Sequence, residues 1–383
     1  MIKCEFDCTA CRHKKLSVNE SQAQKEQFLM LKLREWEHLI EPIISVTEDQ
    51  RLGYRKKVCL ACEFVGMQWS IGMRRRSQVL DISNCPIQHK MVNGSIGILK
   101  QVLPPYLSFP LVWYMQSGAQ ITLVVKSREL PDINWIKGTV AHELMALGVE
   151  GIWIHLHPSA GNKIIGKGGW NLIAGVGRSF NEHEMCYGPV SFQQLISSLH
   201  KIAMDYTTTF LQPDDSTFIV DLYCGTGGTL NQWIQAGALA VGVESCGEAV
   251  ECASQNAADA VILRGTVQQR IPQLKAMVAT QNELNKQILL FANPPRIGLG
   301  REVAEWIGGF MQPQKIAYLS CSPGTLSRDL SVLHNYGYQP ERIIPFDFFP
   351  NTHHTEVLAL LTLTGNQSVI SNIRYSQPAA MAD

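Results

Sequence analysis

The sequence contains no apolar run that approaches the length of a membrane span, and residues 1–8 lack the apolar core of a signal peptide. We therefore expect a cytoplasmic protein with no membrane partner. Charged residues are few, at 17%, but hydrophobic residues make up 45% of the 383 residues, which excludes a disordered chain. In a reducing compartment, the 11 cysteines are expected to be thiols, metal ligands or catalysts, and not disulfides.

The chain has no net charge, but its charges are unevenly distributed. Residues 1–100 contain 16 Lys or Arg against 11 Asp or Glu, so the remainder is acidic. Two basic clusters, Arg55 to Lys57 and Arg74 to Arg76, concentrate the positive charge. Such clusters suit contacts with nucleic-acid phosphates, although a solvated face is the commoner explanation of a bare charge run.

Three cysteines lie close together near the start of the chain, at Cys4, Cys8 and Cys11. Their C-x3-C-x2-C pattern is typical of metal or iron–sulfur ligands, and their polar neighbours make them poor core residues. Three thiols leave one ligand position to be filled, so a fourth ligand must come from elsewhere.

Two sources of the fourth ligand compete. Cys85 follows a predicted strand at a turn, where a thiol can point outward. The pair Cys59 and Cys62 would instead complete a zinc site of C-x2-C type. However, residues 58–65 are predicted to form a strand, on which these two cysteines point to opposite faces, so a core role is favoured for the pair.

Three helices are predicted from the spacing of apolar residues. Residues 17–45 are predicted to be helical up to Pro42, because residues 22–40 contain no Gly or Pro and an apolar stripe recurs there at helical spacing. This stripe consists of Phe28, Leu31, Trp36 and Leu39. Further helices are predicted at residues 132–147 and 189–210.

The second half of the chain has no G-x-G-x-x-G fingerprint of a dinucleotide site. Instead, a strand at residues 217–220 leads into Asp221-Leu-Tyr-Cys-Gly225-Thr-Gly227, then a helix, then a strand ending in Glu244. Strand, glycine-rich turn, helix, strand and acid form the nucleotide-binding half of a doubly wound α/β sheet. The glycines allow a ligand to approach the backbone, and Glu244 can accept hydrogen bonds from a ribose diol.

Two further residues follow predicted strands. Asn293 comes after residues 287–292 and is held by two prolines, so its amide suits recognition of a planar group. Cys321 comes after residues 316–319, at the sheet edge where α/β proteins bind ligands. Its thiol is either a nucleophile or a small buried hydrophobe.

Four blocks of this sequence stand in the order found in bacterial RNA uracil-C5 methyltransferases. They are Asp221-Leu-Tyr-Cys-Gly, Asn293-Pro-Pro-Arg, Ser320-Cys-Ser-Pro-Gly-Thr-Leu and His354-Thr-Glu-Val-Leu-Ala-Leu-Leu. The chain resembles this family over nearly its whole length, and most closely the short branch that acts on 23S ribosomal RNA. The resemblance implies a class I methyltransferase fold, Rossmann-like and dependent on S-adenosylmethionine (SAM).

The resemblance also implies roles for individual residues. Cys321 matches the nucleophile that adds to C6 of uracil, and Glu356 matches the base that removes the C5 proton. SAM-site positions are matched by Gln193, Tyr223, Glu244 and Asn293. Ligands of a [4Fe-4S] cluster are matched by Cys4, Cys8, Cys11 and Cys85, which favours Cys85 over the Cys59–Cys62 pair.

We therefore expect a monomer that methylates a looped or single-stranded uridine of 23S ribosomal RNA, because the base must leave any stack to react. A transfer-RNA methyltransferase and a paralogue that binds RNA without catalysis are the alternatives. Four parts are predicted: an iron–sulfur segment with a helix (1–50), an α+β RNA-binding domain (51–188), the methyltransferase domain (189–365) and a flexible tail (366–383).

Overall fold

The protein is built on two seven-stranded sheets, which follow one another in the chain. The structure is a computed structural model and describes residues 4, 6–160 and 163–364. The predicted tail, 366–383, lies outside the described residues.

The first half contains α1 (Val18–Lys32), β1 (Lys57–Val65), β2 (Gln68–Arg75), β3 (Gln78–Asp81), α2 (Lys90–Val102), β4 (Leu111–Ser117), β5 (Gln120–Val125), α3 (Thr139–Ala146), β6 (Gly151–Leu156), β7 (Trp170–Gly175), β8 (Ser179–Phe180) and β9 (Cys186–Tyr187). The second half contains α4 (Ser197–Leu211), β10 (Thr217–Leu222), α5 (Gly228–Gln235), β11 (Leu239–Glu244), α6 (Gly247–Asn256), β12 (Val261–Arg264), α7 (Val267–Glu283), β13 (Gln287–Ala292), α8 (Arg301–Trp306), β14 (Lys315–Ser320), α9 (Pro323–His334), β15 (Tyr338–Phe346) and β16 (Glu356–Leu363).

The second sheet has the order β12-β11-β10-β13-β14-β16-β15. Its first five strands are parallel, and β16 runs antiparallel between β14 and β15. Apolar clusters pack on both faces of this sheet, so its central strands are buried throughout, as parallel strands covered by helices must be. The order in which successive strands are added to the sheet reverses between β10 and β13, which opens a crevice at the carboxyl ends of these two parallel strands.

The first sheet has the order β3-β2-β1-β4-β5-β6-β7. One face carries the apolar cluster that α2 and α3 complete, and Cys62 belongs to it. Cys59 alternates to the opposite face, as the strand pattern predicted. That opposite face carries half-buried Trp113, Trp153 and Trp170, because the register aligns these positions across β4, β6 and β7.

The prediction of one helix within residues 17–45, ended by Pro42, is wrong in the helix's length and in its buried face. Helix α1 spans Val18–Lys32, begins at a Ser17–Glu20 capping box and is followed by a 3₁₀ segment, Arg34–Leu39. Phe28 is 41% exposed and Leu31 71% exposed. The buried face includes Lys25, which an apolar pattern cannot reveal because its charge is paired inside the protein.

Two other helices are shorter than predicted. Residues 132–147 form a 3₁₀ turn, Asn134–Ile136, and then α3, because Gly138 interrupts them with φ +62°. Helix α4 begins only at Ser197. The chain before it stays irregular because side chains bind its backbone: Glu248 accepts from the amide of Val190 at 3.1 Å.

No helix in the described ranges is both long and apolar enough to cross a membrane. All eleven cysteines lie in these ranges and are free thiols. The expectation of thiols in place of disulfides is therefore consistent with the structure.

Candidate active site

The predicted site residues meet at one edge of the second sheet. Tyr223 and Asn293 directly follow β10 and β13, and Glu244 ends β11. Cys321 directly follows β14, and Glu356 begins the antiparallel β16. Because β16 runs against its neighbours, its first residue lies at the same edge as the last residues of the parallel strands.

Cys321 and Glu356 are cross-strand neighbours. Ser320 pairs with Val357, so continuing the antiparallel register by one residue sets Cys321 opposite Glu356. Residues opposite each other in such a ladder have Cα atoms about 5 Å apart. Cys321 is half-buried, whereas Glu356 is only 4% exposed.

Burial favours the protonated forms of Cys321 and Glu356. Desolvation raises the pKa of Glu356 to about 7, and a hydrogen bond from Gln194 opposes the shift. Oε2 of Glu356 is buried without a hydrogen-bond partner in the described structure. Burial also raises the pKa of Cys321, as does the neighbouring Glu356, while Arg296 lowers it. A carboxyl group with a pKa near neutrality can exchange a proton at physiological pH.

A cavity of about 640 Å³ lies at this edge of the sheet; Cys321 and Glu356 do not line it, but Gln194, which contacts Glu356, does. Gln193, Tyr223 and Asn293, three of the four predicted SAM-site residues, line it together with Gly225. Nε2 of Gln193 is buried without a partner among the described residues. The cavity is of the size that cofactor sites have, and an unpaired buried amide is a donor available to a ligand.

Glu244 organises the glycine-rich loop beside this cavity. Its Oε2 accepts from the amide of Gly225 at 3.2 Å, and its Oε1 accepts from the amide of Cys246 at 2.7 Å. Gly225 and Gly227 have φ of +55° and +81°, which glycine adopts without strain. A Cβ on Gly227 would lie 2.9 Å from Cα of Ala253, so the loop also needs glycine to pack on α6.

Asp221, the acid of the first block, lies beneath this loop and is fully buried. Its Oδ2 accepts from the Thr229 hydroxyl at 2.5 Å and from the Trp233 indole at 3.0 Å. Burial raises its pKa to about 7. Both contacts reach α5, so Asp221 fixes the helix that follows the loop.

The four predicted cluster ligands line a second, small cavity. Cys4, Cys8, Cys11 and Cys85 surround it, with Ile87 nearby. Burial and the neighbouring thiols Cys85 and Cys8 raise the pKa of Cys11 to about 11. Yet within residues 4, 6–160 and 163–364, no three His, Cys, Asp or Glu side chains are arranged to hold a metal ion. The iron–sulfur site is therefore not shown and stays a prediction.

Comparisons with known proteins agree with this arrangement. A family model described as tRNA (Uracil-5-)-methyltransferase matches residues 179–364. An uncharacterized RNA methyltransferase of Clostridium tetani is 28% identical over 94% of this chain and 82% of its own length. The 23S rRNA (uracil(1939)-C(5))-methyltransferase RlmD of Shewanella woodyi is 25% identical over 93% of this chain and 80% of its own length.

The chain is similar to RNA (uracil-C5)-methyltransferases, in residues 179–364 by the family model and over nearly its whole length by these two relatives. Its fold is similar to that of Pyrococcus abyssi tRNA (uracil-54, C5)-methyltransferase, solved with S-adenosyl-L-homocysteine, at a TM-score of 0.69 and 20% identity. That similarity covers 94% of this chain and 86% of the other chain. The predicted class I methyltransferase fold is thereby confirmed.

The structure adds two residues that the sequence did not single out. Gln194 lines the cavity and hydrogen-bonds Glu356. Arg296 lies close enough to Cys321 to lower the pKa of its thiol. The Asn293-Pro-Pro-Arg block contained a signal for Arg296, but nothing in the sequence distinguished Gln194 from its neighbour Gln193.

Proposed function

We propose that this enzyme methylates C5 of a uridine in 23S ribosomal RNA through a covalent adduct between Cys321 and C6 of the base. The observation that carries the proposal is the placement of Cys321 opposite Glu356, at the sheet edge where Asn293 and Gln194 line the cavity. A thiol next to a carboxyl group of near-neutral pKa supplies the nucleophile and the base that this chemistry requires.

Cys321 and Glu356 act one after the other. The thiol of Cys321 first loses its proton to solvent. The thiolate then forms a bond to C6, which moves the electron pair of the C5=C6 bond to C5 as an enolate. C5 then takes the methyl group that SAM supplies, and S-adenosylhomocysteine leaves. Glu356 accepts the C5 proton, the C5=C6 bond re-forms and the bond from Cys321 to C6 breaks, which returns the free thiolate. Each cycle leaves Cys321 unchanged.

The pKa values set conditions on this order of events. Burial raises the pKa values of Cys321 and Glu356, so the thiol must lose its proton and the carboxyl group must be ionised before each can act. A base with a pKa of about 7 is well matched to operation near neutral pH.

The SAM site is supported by the lining of the large cavity. Gln193, Tyr223 and Asn293 would contact the cofactor, and Glu244 beside the glycine-rich loop would accept from its ribose. Oε1 and Oε2 of Glu244 already bind backbone amides, yet a carboxylate can accept about four hydrogen bonds in all. Calorimetry with SAM alone tests the non-catalytic alternative, which predicts no binding.

A methyl-transfer assay on unmodified 23S ribosomal RNA tests the proposed chemistry. The wild-type enzyme should incorporate labelled methyl groups at one uridine. Cys321→Ala should remove activity, whereas Cys62→Ala, on the buried face of the first sheet, should retain it. Full turnover by Cys321→Ala would show that the covalent mechanism is wrong.

A transfer RNA is the second candidate substrate, because the matching family model and the Pyrococcus abyssi structure both carry tRNA in their names. Mass spectrometry of RNA from a deletion strain separates the two candidates. Loss of one 5-methyluridine from 23S ribosomal RNA supports the ribosomal substrate. Loss from transfer RNA alone would replace it.

We propose that the RNA strand crosses the open face of the first sheet beside the cavity. Arg74 is exposed and lies over the ring of Trp113, 5.7 Å from its centroid. Lys56 is exposed and lines the cavity, whereas the amine of Lys57 donates to the carbonyl of Ser191 at 2.8 Å. Arg74 and Lys56 therefore suit phosphate contacts, Trp113 suits base stacking, and Lys57 is structural.

We also propose that a [4Fe-4S] cluster is held by Cys4, Cys8, Cys11 and Cys85. The donor set fits because four free thiols line one cavity, and thiolates are the ligands that such clusters require. A bound cluster would tie the N-terminal segment to the turn that contains Cys85.

An anaerobic preparation tests the cluster. It should be brown and contain iron and acid-labile sulfide, and Cys85→Ser should lose both. Cys62→Ser, at a buried position on β1 away from this cavity, should keep them. A colourless protein with stoichiometric zinc would overturn the iron assignment.

Finally, we propose that the enzyme acts as a cytoplasmic monomer, because its RNA substrates lie in that compartment. Sedimentation of the free protein should give a mass near 42.7 kDa. A concentration-independent mass of twice that value would contradict the monomer.

A further inference from the structure

The loop that leads to the proposed base is held by the N-terminal part of the chain. Phe346 ends β15 and pairs with Glu356, which begins β16, so residues 347–355 form the connection between them. Glu356 is the first residue of its strand, so sheet pairing fixes the chain after it but not before it. The direction from which the chain enters β16 is set by the contacts of residues 347–355.

A buried ion pair fixes the start of this loop. Nζ of Lys25 on α1 lies 2.5 Å from Oδ1 of Asp347, and both side chains are fully buried. Nη1 of Arg51 approaches the other oxygen of Asp347 at 3.3 Å. Lys25 also donates to the carbonyl of Phe349 at 3.3 Å. The carboxylate of Asp347 therefore contacts two buried cations, which lie 322 and 296 residues before it in the sequence.

Hydrogen bonds fix the next residues of the loop. The carbonyl of Pro350 accepts from the hydroxyl of Tyr54 at 3.2 Å, and the carbonyl of Asn351 accepts from the amide of His13 at 3.0 Å. The side-chain amide of Asn351 donates to the carbonyl of Arg51 at 3.1 Å. Asn351 has φ +68°, a conformation that an Asn adopts with some strain and that surrounding contacts must maintain.

We propose that His13, Lys25, Arg51 and Tyr54 form a clamp that positions Glu356 for proton removal from C5. These are positioning residues, since they contact the loop and not the reacting atoms. The inference rests on the proposed function, and it assigns a role in the last chemical step to a part of the chain outside the methyltransferase sheet. His13 lies two residues from Cys11, so the clamp also joins the cysteine cavity to the catalytic loop.

The proposal predicts a specific defect and not a general loss of activity. Loosening the clamp displaces Glu356 but leaves Cys321 and the SAM cavity in place. Addition to C6 and methyl transfer then continue, whereas proton removal and release of the thiolate become slow. A displacement of about 1 Å at a catalytic group can cost about 100-fold in rate. Covalent protein–RNA adduct should therefore accumulate during turnover.

The test measures the fraction of enzyme trapped as adduct on denaturing gels, with RNA and SAM present, for Lys25→Met. Lys32→Met, an exposed lysine in the last turn of the same helix, is the matched control. Tyr54→Phe removes a single hydrogen bond to the loop and serves as the milder variant if Lys25→Met does not fold. Glu356→Gln defines the signal of a fully blocked base.

We expect Lys25→Met to lower kcat about tenfold or more with little change in KM for SAM, and to raise the adduct fraction well above that of Lys32→Met. Tyr54→Phe should show the same pattern more weakly. If Glu356→Gln traps adduct but folded Lys25→Met and Tyr54→Phe do not, the clamp is refuted while the proposed chemistry stands. If Glu356→Gln itself traps nothing, the proposed function fails first.

Discussion

Glu356→Gln should stabilise the protein in a pH-dependent way, because the native structure holds this carboxyl group where its charge is unfavourable. Burial raises the pKa of Glu356 from an ordinary 4.5 to about 7. A shift of that size corresponds to about 3 kcal/mol between the two protonation states. Glutamine has nearly the same shape but no charge to bury.

The direction in which stability changes with pH follows from the protons that the folded and unfolded states bind. Between pH 4.5 and 7, folded Glu356 keeps a proton that the unfolded chain releases, so the stability of the wild type falls as pH rises through this window. The stability of Glu356→Gln has no such contribution. The free energy of unfolding of the variant should equal that of the wild type near pH 4.5. Above pH 8 it should be larger by about 2–3 kcal/mol, which is the value for a fully buried charge.

Thermal unfolding at a series of pH values between 5 and 8.5 measures this difference. A gain of that size should raise Tm by about 3 °C at pH 8.5 and by much less at pH 5. Glu302→Gln, an exposed carboxyl group on α8, is the control for loss of one negative charge and should show no such trend. A difference between Glu356→Gln and wild type that stays constant across the pH range would refute the assigned burial of charge.

Three other outcomes test separate parts of the site. Gln193→Ala removes an unpaired buried amide from the cavity and should weaken SAM binding about tenfold in calorimetry, with RNA binding unchanged. Arg74→Ala should weaken RNA binding and lower the slope of log K against log salt by about 1, whereas Trp113→Ala should weaken binding without changing that slope. Lys57→Met removes the hydrogen bonds that hold the carbonyls of Val190 and Ser191 and should raise KM for SAM in the methyl-transfer assay.

The second sheet was predictable because its signals are local. The glycine-rich turn after residues 217–220, the acid at Glu244 and the strand before Cys321 depend on neighbours in sequence, and each lies where it was expected. Buried parallel strands read as continuous apolar runs, which makes them easy to recognise. The same local signals placed Asn293 and Cys321 at one sheet edge.

The misplaced helices failed because long-range contacts decided them. Lys25 reads as a surface residue, but Asp347 and Arg51 make it part of the core. The segment before Ser197 reads as helical, but Glu248 and Lys57 bind its backbone groups and keep it irregular. Neither partner is visible to a pattern that compares residues three or four positions apart.

In the site, too, local signals were predictable from the sequence and long-range contacts were not. The sequence offered Cys321 and Glu356 by resemblance, while their opposition across β14 and β16 follows from a register that only the folded sheet defines. Gln194 was missed because its contact with Glu356 joins residues far apart in the chain. The four cysteines were proposed together and line one cavity, but their ligation of a cluster awaits measurement.

Mass spectrometry of Glu356→Gln after incubation with SAM and an unmodified RNA fragment tests the central claim most directly. The account predicts a covalent complex that carries one added methyl group, linked to the peptide that contains Cys321. The double variant Cys321→Ala/Glu356→Gln should give none. Methylated RNA released freely by Glu356→Gln, or an adduct on any other residue, would contradict the account.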